Sequence, residues 1–592
     1  MPGLSKVLIA NRGEIAVRIA RACADASIAS VAVYADGDRD AKHVKMADEA
    51  YSLGGVSAAQ TYLDADKLIA AAHRSCADAV HPGYGFLSES AEFAQAVIDA
   101  GLTWIGPSPA ALRALGDKVS ARQIAARVGV PLVAGTNAPV SDVQEILDFV
   151  DMHGLPIIIK AAFGGGGRGL KVVNDRSRIP ELFELAVREA TASFGRGECF
   201  VEKYLSRPRH IETQCLADAH GTVAVVSTRD CSLQRRHQKL VEEAPAPHIT
   251  AEQQDELVHA SGLILRDVGY VGAATCEFLL GAEGISFLEV NTRLQVEHPV
   301  SEEVSGIDLV REQFRLAAGE EVGYQTVASR GHAIEFRINA EDPAHDFLPS
   351  PGAIKVLRLP SGPGVRLDFG YEAGDVLPGA FDSMLGKIVI WGADRGQALA
   401  RARRALRELK VVGVPTVLPF HQAVLDEPDF IAADGHLRVH TAWIDTEFVT
   451  KLEGLGTQDA PDDTASDSPT AQSGPHLIVE VDGKRFEVVI PSSQVNSLRQ
   501  PHSAAATPHP RHPAVSGTTT KKQATVTAPM PGVIVKVAAE QGSLVAEGDL
   551  LVIVEAMKMQ QPTYAPKGGT VVSMNVAVGD HVQHGQTICT IA

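Results

Sequence analysis

The sequence predicts a multidomain α/β protein that ends in a small all-β module. Over roughly the first hundred residues, short apolar runs alternate with amphipathic helical segments, which is typical of a parallel sheet covered by helices. The C-terminal end instead repeats a short β pattern, in which Gly532 and Gly542 recur 37 residues later as Gly569 and Gly579. A chain of 592 residues is also too long for a single hydrophobic core.

Composition and charge limit the classes of function. The hydrophobic content of 45%, the charged content of 21% and the net charge of −18 predict a soluble cytoplasmic protein that binds neither nucleic acid nor a membrane. No apolar run reaches bilayer length, and the N-terminus has no apolar signal segment. Seven cysteines without a C-x-x-C pair indicate neither a disulfide framework nor a zinc site.

The N-terminal segment predicts the start of a parallel sheet. Expected strands at Lys6–Ala10 and Ser30–Tyr34 flank an expected helix at Glu14–Ala24. The turn at Asn11–Glu14 lacks the G-x-G-x-x-G pattern, which argues against NAD binding. The turn-rich run His81–Phe86 falls where a strand should end, and sites in α/β proteins tend to lie at that edge.

A glycine run in the middle of the chain predicts a phosphate-binding loop. The run Gly164–Gly167 follows Lys160 on one expected strand and precedes a second strand that ends at Val173. Consecutive glycines allow backbone N–H groups to approach a polyanion, although a plain surface turn is the alternative for such a run. The pattern is not a Walker A loop, and the strand-borne lysine favours a nucleotide lid.

Two carboxylates further along predict a divalent metal site. With a hairpin centred on Glu283, Glu277 and Glu289 would face each other about 5 Å apart. Like charges at that distance need a cation, a proton or solvent, so an exposed polar face is the alternative. Asn291 and Arg293 share the face of Glu289, and carboxylate and amide oxygens suit magnesium.

Two linkers and a hairpin follow the α/β part. Residues 457–475 read as an acidic disordered linker, and residues 497–525 as a Pro-, Ala- and Thr-rich one. Between them, Leu477–Val481 and Arg485–Ile490 alternate in polarity around Asp-Gly, which predicts a β-hairpin. A lone hairpin is marginally stable, so this one either docks a partner subunit or packs back on the α/β core.

Lys558 lies in Ala-Met-Lys-Met, between the two half-repeats of the C-terminal module. A lysine on an exposed connection is usually a solvated charge. Here the motif, with Ala528–Gly532 at the entry, resembles the biotin carboxyl carrier domain, a flattened β barrel that the lipoyl domains share. The methionine on each side of the lysine favours biotin. The resemblance implies that biotin is covalently attached to Lys558.

The α/β part resembles biotin carboxylase, an ATP-grasp enzyme, from about Met1 to Asp445. The resemblance rests on ordered motifs around Lys118, the glycine run, Glu202–Leu205, Arg229–Lys239, Glu289–His298 and Glu335–Asn339. Together with the carrier, the whole chain resembles the α subunit of a bacterial acyl-CoA carboxylase. The implied segments are an N-terminal α/β domain at 1–115, an ATP-grasp domain at 116–330 with a mobile lid at about 131–205, a mixed α/β domain at 331–446, an acidic linker at 447–475, the hairpin at 476–492, a second linker at 493–524 and the carrier at 525–592.

The resemblance also implies roles for individual residues. ATP is the co-substrate, with Mg²⁺ or Mn²⁺ held by Glu277, Glu289 and Asn291. The nucleotide pocket would be formed by Lys118, Lys160, Gly166 and Gly167 at the phosphates, by Glu202, Lys203 and Leu205 at the adenine edge, and by His210, Gln234, His237 and Leu279. Bicarbonate would be held by Lys239, Arg293, Gln295 and Val296, deprotonated by Glu297, and passed to a biotin enolate stabilised by Arg337.

The chemistry and its partners follow from the same resemblance. The chain would carboxylate its biotin as the first half-reaction of acetyl- or propionyl-CoA carboxylation in fatty-acid or related lipid synthesis. A separate carboxyltransferase β subunit would perform the second, a biotin protein ligase would attach the biotin, and the chain would form a homo-oligomer within a larger complex. Another ATP-grasp ligase, such as a carbamoyl-phosphate or amino-acid ligase, and a non-catalytic biotin scaffold are the alternatives.

Overall fold

The computed structural model describes residues 3–592 except 137, 163–169, 195, 453, 456–475, 482–483, 490–523, 531, 557–558 and 583–584. Side chains are not described at 192–194, 476–481, 484–489, 556, 559–560 and 581. Gly166, Gly167, Lys558 and most of both predicted linkers therefore lie outside the described residues.

The N-terminal segment forms the predicted parallel sheet. Its strands lie in the order β3, β2, β1, β4, β5, and helix α1 begins at Gly13, where a positive φ of 65° favours glycine. The predicted strand at Lys6–Ala10 and helix at Glu14–Ala24 are confirmed to within two residues. The elements are β1 (Lys6–Ile9), α1 (Gly13–Asp25), β2 (Ala29–Tyr34), α2 (Lys42–Met46), β3 (Glu49–Ser52), α3 (Ala65–Arg74), β4 (Ala79–His81), α4 (Ala91–Asp99), β5 (Thr103–Trp104), α5 (Pro109–Gly116) and α6 (Lys118–Arg127).

A small sheet carries the ends of the glycine run. Strand β6, which contains Lys160, pairs with β7 on one side and β8 on the other, and two helices cover one face. The predicted order of strand, glycine run and strand is confirmed, although the run itself is not described. The elements are α7 (Val143–His153), β6 (Ile157–Ala161), β7 (Lys171–Val173), α8 (Ile179–Phe194) and β8 (Cys199–Lys203).

An eight-stranded sheet forms the centre of the molecule. Its strand order is β13, β12, β9, β10, β11, β14, β21, β19. Because β14, β19 and β21 follow the expected domain boundary at residue 331, both predicted domains contribute strands to this one sheet. The middle segment supplies β9 (Arg209–Ala217), β10 (Val223–Arg235), β11 (Gln238–Ala244), α9 (Ala251–Asp267), β12 (Gly272–Gly281), β13 (Gly284–Asn291), α10 (His298–Ser305) and α11 (Leu309–Ala317).

The segment after residue 331 completes this sheet and packs its largest apolar cluster beside it. Strands β14 and β21 pair through eight residues, from His332 opposite Gly392 to Asn339 opposite Met384. The elements are β14 (His332–Asn339), β15 (Glu341–Asp342), β16 (Leu348–Pro349), β17 (Gly352–Ala353), β18 (Val356–Arg358), β19 (Val365–Phe369), β20 (Val376–Leu377), β21 (Met384–Gly392), α12 (Arg395–Glu408), β22 (Lys410–Val412), α13 (Leu418–Val424), α14 (Pro428–Ile431), α15 (Trp443–Thr446) and α16 (Val449–Leu452).

The predicted hairpin forms and extends the first sheet. Strand β23 (His476–Val481) pairs with β24 (Lys484–Val489), and β24 joins β3 through Lys484 opposite Tyr51. The hairpin therefore packs on the α/β core, which is the second of the two arrangements that the sequence allowed. Strand β23 is the outermost strand of this sheet among the described residues. Docking of a partner subunit there stays a prediction.

The C-terminal module consists of two four-stranded antiparallel sheets, in the orders β25, β32, β30, β27 and β29, β28, β26, β31. The 37-residue repeat is confirmed, since β26 corresponds to β30 and β27 to β31. Gly542 and Gly579 share a left-handed backbone, with φ of 92° and 96°. The strands are β25 (Ala524–Thr527), β26 (Gly532–Val537), β27 (Leu544–Val545), β28 (Leu550–Ala556), β29 (Met559–Tyr564), β30 (Gly569–Met574), β31 (His581–Val582) and β32 (Thr587–Ile591).

The helices of the described part of the chain also bear on the membrane prediction. None of them combines the length and the apolar character that crossing a bilayer requires.

Candidate active site

A row of charged side chains crosses four strands of the central sheet. Glu289 lies opposite Glu277, Glu277 opposite Glu212, and Glu212 opposite Arg229. Three carboxylates side by side on neighbouring strands repel one another unless cations lie among them. Arg229 provides one such cation, and its fully buried guanidinium contacts Glu212.

Lys239 on β11 provides the second cation. Its ammonium group donates hydrogen bonds to Glu212 at 2.6 Å, Glu277 at 2.9 Å and Glu297 at 2.7 Å. Burial would lower the pKa of Lys239, but Cys231 and these three carboxylates hold it well above its usual range. The lysine is therefore a permanent positive charge, and it joins residues from four parts of the sequence into one cluster.

The same charges control Glu297, which directly precedes helix α10. Burial would raise the pKa of Glu297, whereas Lys239, Arg337 and Arg229 together keep it well below its usual range. Arg337 contacts Glu297 at 2.8 Å and Glu242 at 2.5 Å. Burial raises the pKa of Glu242 to about 7 despite Arg337. The site therefore presents an ionised carboxylate between two cations.

The predicted pairing of Glu277 with Glu289 is confirmed, but the predicted turn centre is wrong. The turn closes with Gly281 opposite Gly284, so its centre lies half a residue before Glu283. An irregularity between Glu277 and Phe278 then shifts the register and brings the two carboxylates opposite each other. A bulge of this kind leaves no signal in the alternation of polar and apolar residues.

The donors of the predicted metal site fit Mg²⁺. Asn291 donates to Glu277 at 2.8 Å, and Gln295 donates to the same oxygen at 3.2 Å, so these oxygen-bearing side chains lie together. Glu289 is partly exposed and lies 3.4 Å from the ammonium group of Lys118. Carboxylate and amide oxygens beside a lysine, the residue type predicted here to contact phosphates, are a donor set that suits a magnesium–nucleotide site.

The predicted nucleotide residues are divided between the small sheet, which carries Lys160, Glu202 and Lys203, and the central sheet. Lys160 and Arg122 both contact the buried carboxylate of Glu202, and Lys203 donates to the carbonyl of His153 at 2.7 Å. The remaining predicted residues lie on or beside strands β9, β10 and β12: Leu279 opposite His210, Gln234 opposite Lys239, Leu205 beside Gly281, and His237 at the turn after β10 with φ of 65°.

Three of the four predicted bicarbonate residues, Arg293, Gln295 and Val296, lie in the loop between β13 and α10, and the fourth, Lys239, is on β11. Arg293 donates to Gln295 at 2.9 Å and to Asn291 at 3.2 Å. The carbonyl of Val296 accepts a hydrogen bond from the fully buried Lys387 at 2.5 Å. The loop is thus fixed at both ends, next to Glu297.

Sequence reasoning missed several residues of the cluster, of which Glu212 and Arg229 are the most important. Glu212 follows His210 and precedes Gln214 on one face of β9, so a row of polar side chains on a buried strand was the signal that could have found it. Arg229 belongs to a motif that was recognised, but no role was assigned to it. Glu242, Glu89 and Lys387 carry no comparable local signal.

Four family models match the chain. They are described as biotin carboxylase N-terminal domain at residues 3–112, carbamoyl-phosphate synthase L chain ATP-binding domain at 117–324, biotin carboxylase C-terminal domain at 335–446, and biotin-requiring enzyme at 524–591. The second description also covers carbamoyl-phosphate ligases, whereas the first and third favour biotin carboxylase over that alternative.

Curated relatives and solved structures agree with this assignment. The biotin-dependent acyl-coenzyme A carboxylase alpha3 subunit of Mycobacterium leprae is 52% identical over 99% of this chain and 98% of its own length. The biotin carboxylase of Nostoc is 47% identical over 72% of this chain and 96% of its own length.

Among solved structures, the biotin carboxylase–β-γ-ATP complex from Campylobacter jejuni is 39% identical, covers 75% of this chain and 98% of its own, and superposes with a TM-score of 0.72. The biotin carboxylase domain of Hydrogenobacter thermophilus 2-oxoglutarate carboxylase, with MgADP, ADP and bicarbonate, is 39% identical over 77% of this chain and 99% of its own, with a TM-score of 0.73.

These matches decide between the readings that the sequence left open. The chain is an ATP-dependent biotin carboxylase that also carries a biotin-dependent carrier domain, and its cofactors are biotin and magnesium. Another ATP-grasp ligase and a non-catalytic biotin scaffold are both disfavoured. The chain belongs to the family of biotin-dependent acyl-coenzyme A carboxylase alpha subunits.

Proposed function

We propose that the Lys239 cluster is the catalytic centre at which bicarbonate attacks ATP, and that Lys558 carries the biotin that is then carboxylated. The observation that carries this proposal is the ammonium group of Lys239 shared by Glu212, Glu277 and Glu297. In this proposal Arg293, Gln295 and Val296 hold bicarbonate, Lys118 and Lys160 bind phosphates together with Gly166 and Gly167, and Glu202, Lys203, Leu205, His210, Gln234, His237 and Leu279 line the nucleotide pocket.

The arrangement suits phosphoryl transfer to a weak nucleophile. Bicarbonate attacks the γ-phosphoryl group only when charge is neutralised and the two groups are aligned. Magnesium held by Glu277, Glu289 and Asn291 would supply part of that neutralisation. Lys118 lies 3.4 Å from Glu289, so a cationic side chain is already beside the expected phosphate position.

Glu297 would remove the bicarbonate proton. Lys239 and Arg337 keep the pKa of this carboxylate low and the group ionised, which prepares it to accept a proton but makes it a weak base. Anionic substrates that engage Lys239 and Arg337 weaken their hold on Glu297 and raise its pKa. Base strength would therefore develop only when the substrates are bound.

The second half-reaction would use an acyl-CoA on a separate carboxyltransferase β subunit. None of the four matched family models describes a carboxyltransferase, and the Mycobacterium leprae relative is named as a subunit of an acyl-coenzyme A carboxylase. Acetyl- or propionyl-CoA would be the acceptor, in fatty-acid or related lipid synthesis. A biotin protein ligase would load Lys558, and the chain would act in the cytoplasm as a homo-oligomer, as the Hydrogenobacter domain is described as a dimer.

The test follows the labelled carboxyl group. The purified biotinylated chain, given ATP, magnesium and labelled bicarbonate, should become labelled, whereas Lys558→Ala should not. Lys536→Ala, which removes an exposed lysine of the same module, is the matched control. Addition of the subunit that co-purifies with the chain should then transfer the label to acetyl- or propionyl-CoA. Label on Lys558→Ala would contradict the attachment site, and transfer to pyruvate instead of an acyl-CoA would contradict the acceptor.

A further inference from the structure

A carboxylate of the N-terminal segment contacts the bicarbonate loop. Glu89 lies between strand β4 and helix α4, three residues after the turn-rich run His81–Phe86. One of its oxygens accepts from Nε of Arg293 at 3.0 Å, and the other accepts from the backbone N–H of Thr292 at 3.2 Å. The contact joins residues 204 positions apart in the sequence.

The turn that presents Glu89 is itself held in place. Asn11 donates to the carbonyls of Pro82 and Tyr84, both at 2.7 Å, and the N–H of Gly83 donates to His81 at 3.0 Å. Gly83 has a φ of 63°, and a Cβ there would lie 2.9 Å from the Asn11 amide, so only glycine suits this position. Glu89 therefore extends from a fixed support.

The position of Glu89 at the base of the guanidinium group leaves one terminal N–H of Arg293 available to an anion. Glu89 engages Nε, at the base of the group, whereas the two terminal nitrogens donate to Asn291, Gln295 and the Leu294 carbonyl. The terminal Nη2 nitrogen carries a second N–H beyond the one that Asn291 accepts. A guanidinium fixed from behind loses less side-chain freedom when an anion binds.

We propose that Glu89 is a positioning residue for bicarbonate: it holds Arg293 from the N-terminal segment and so orients the guanidinium toward the anion. The inference rests on the proposed function, because it assigns bicarbonate to Arg293. It also gives the turn-rich run after β4 a specific task in the reaction.

The test compares Michaelis constants in the bicarbonate-dependent ATPase of the full-length chain. Glu89→Gln should raise KM for bicarbonate by about tenfold, the loss expected for one charge-assisted hydrogen bond, and leave KM for ATP within about twofold. Glu89→Asp, which keeps the charge, should recover part of the loss. Glu92→Gln, whose side chain is 81% exposed, is the matched control and should behave as wild type.

A double-mutant cycle shows whether Glu89 acts through Arg293. In an Arg293→Ala background, Glu89→Gln should change KM for bicarbonate by less than about twofold, because the group it orients is gone. A full tenfold effect in that background would overturn the inference. So would an unchanged or lower KM in the single variant, since a carboxylate that merely competed with the anion would improve binding when neutralised.

Three outcomes keep this inference separate from the proposed function. If KM for bicarbonate and KM for ATP rise together with a fall in Tm, Glu89 has only a structural role and the inference is overturned. If the wild-type chain shows ATP hydrolysis that does not depend on bicarbonate, the proposed function fails. An active wild type with unaltered constants in Glu89→Gln overturns the inference alone.

Discussion

The central sheet buries charged side chains, whereas the carrier module, residues 524–592, buries apolar ones. Glu212, Arg229 and Glu297 are fully buried in the body of the molecule, residues 3–455. Among the described carrier residues, the buried set contains no polar or charged residue. Burying charge is costly unless every group is paired, and in the body these buried charges belong to the proposed catalytic centre, whereas the described carrier core is stabilised by apolar burial alone.

The difference teaches where each part is sensitive to change. A carrier core of this kind responds to lost volume, because its stability comes from apolar burial. The body responds to lost charge, since each ion in the row from Glu289 to Arg229 is compensated by its neighbours. Removal of one partner leaves the other buried and unpaired.

The largest expected effect is on catalysis in the body. Glu297→Gln keeps the shape of the side chain but removes the proton acceptor, so bicarbonate-dependent ATPase activity should fall roughly 10²–10⁴-fold. Arg337→Ala should retain part of that ATPase activity while carboxylation of free biotin falls further, because the charge of Arg337 is needed at the later step. Both rates are measured with ATP, bicarbonate and free biotin.

A carrier variant provides the control for this prediction. Leu551 is fully buried in the carrier core, and Leu551→Ala should cost ~2–5 kcal/mol, which is comparable to the whole stability of so small a module. ATPase activity with free biotin should nevertheless stay at the wild-type level. Equal loss of both activities in Glu297→Gln and Arg337→Ala would contradict the separation of their roles, and loss of ATPase in Leu551→Ala would contradict the independence of the two regions.

Local patterns predicted the carrier module and part of the site. The 37-residue repeat predicted the corresponding strands because each half carries its own glycines and alternation. Glu277 and Glu289 could be paired from the sequence because a short hairpin joins them. Lys239 and Glu297 were predicted from the resemblance to biotin carboxylase, because this chain contains almost all of that family's motifs.

The rest of the site depends on contacts between distant parts of the sequence. Glu212 meets Glu277 because β9 pairs with β12, and Arg229 reaches Glu212 because β10 pairs with β9. No periodicity within one strand specifies which strand lies beside it. Glu89 reaches Arg293 across 204 residues, and a contact of this separation is set by the packing of whole segments.

A smaller effect is expected from pH, again in the body. Burial lowers the pKa of His43 to about 4 and that of His81 to about 3. In the unfolded chain a histidine takes up its proton near pH ~6.5. Between that pH and about 4, the unfolded state therefore binds protons at these two positions and the folded state does not. The free energy of unfolding of the body should fall over this window by up to ~1.4 kcal/mol per pH unit for each such histidine.

Tryptophan fluorescence isolates the body in this measurement, because all three tryptophans, Trp104, Trp391 and Trp443, lie there. His43→Gln should flatten the pH dependence of the tryptophan-detected unfolding. His345→Gln, whose side chain is 69% exposed, is the matched control and should leave the slope as it is. The prediction is wrong if His43→Gln and His345→Gln give the same slope as wild type.

The smallest expected change in stability concerns the hairpin between the two regions. Among the described residues, strand β24 joins the first sheet through one pair, Lys484 opposite Tyr51. Deletion of residues 476–489 should therefore lower the free energy of unfolding of the body by only about 1 kcal/mol. Carboxylation of free biotin should be unchanged. The outer edge of β23 offers backbone donors and acceptors to a further strand, and an edge of this kind is a template for pairing with another chain.

We therefore expect the same deletion to abolish co-elution with the carboxyltransferase subunit. The two measurements separate the two roles of the hairpin, because packing on the body affects Tm and docking affects the complex. A large fall in the Tm of the isolated chain with an intact complex would show that the hairpin belongs to the body alone. In that case the contact with the partner must lie elsewhere. The hairpin would then stabilise the body and take no part in binding the carboxyltransferase subunit.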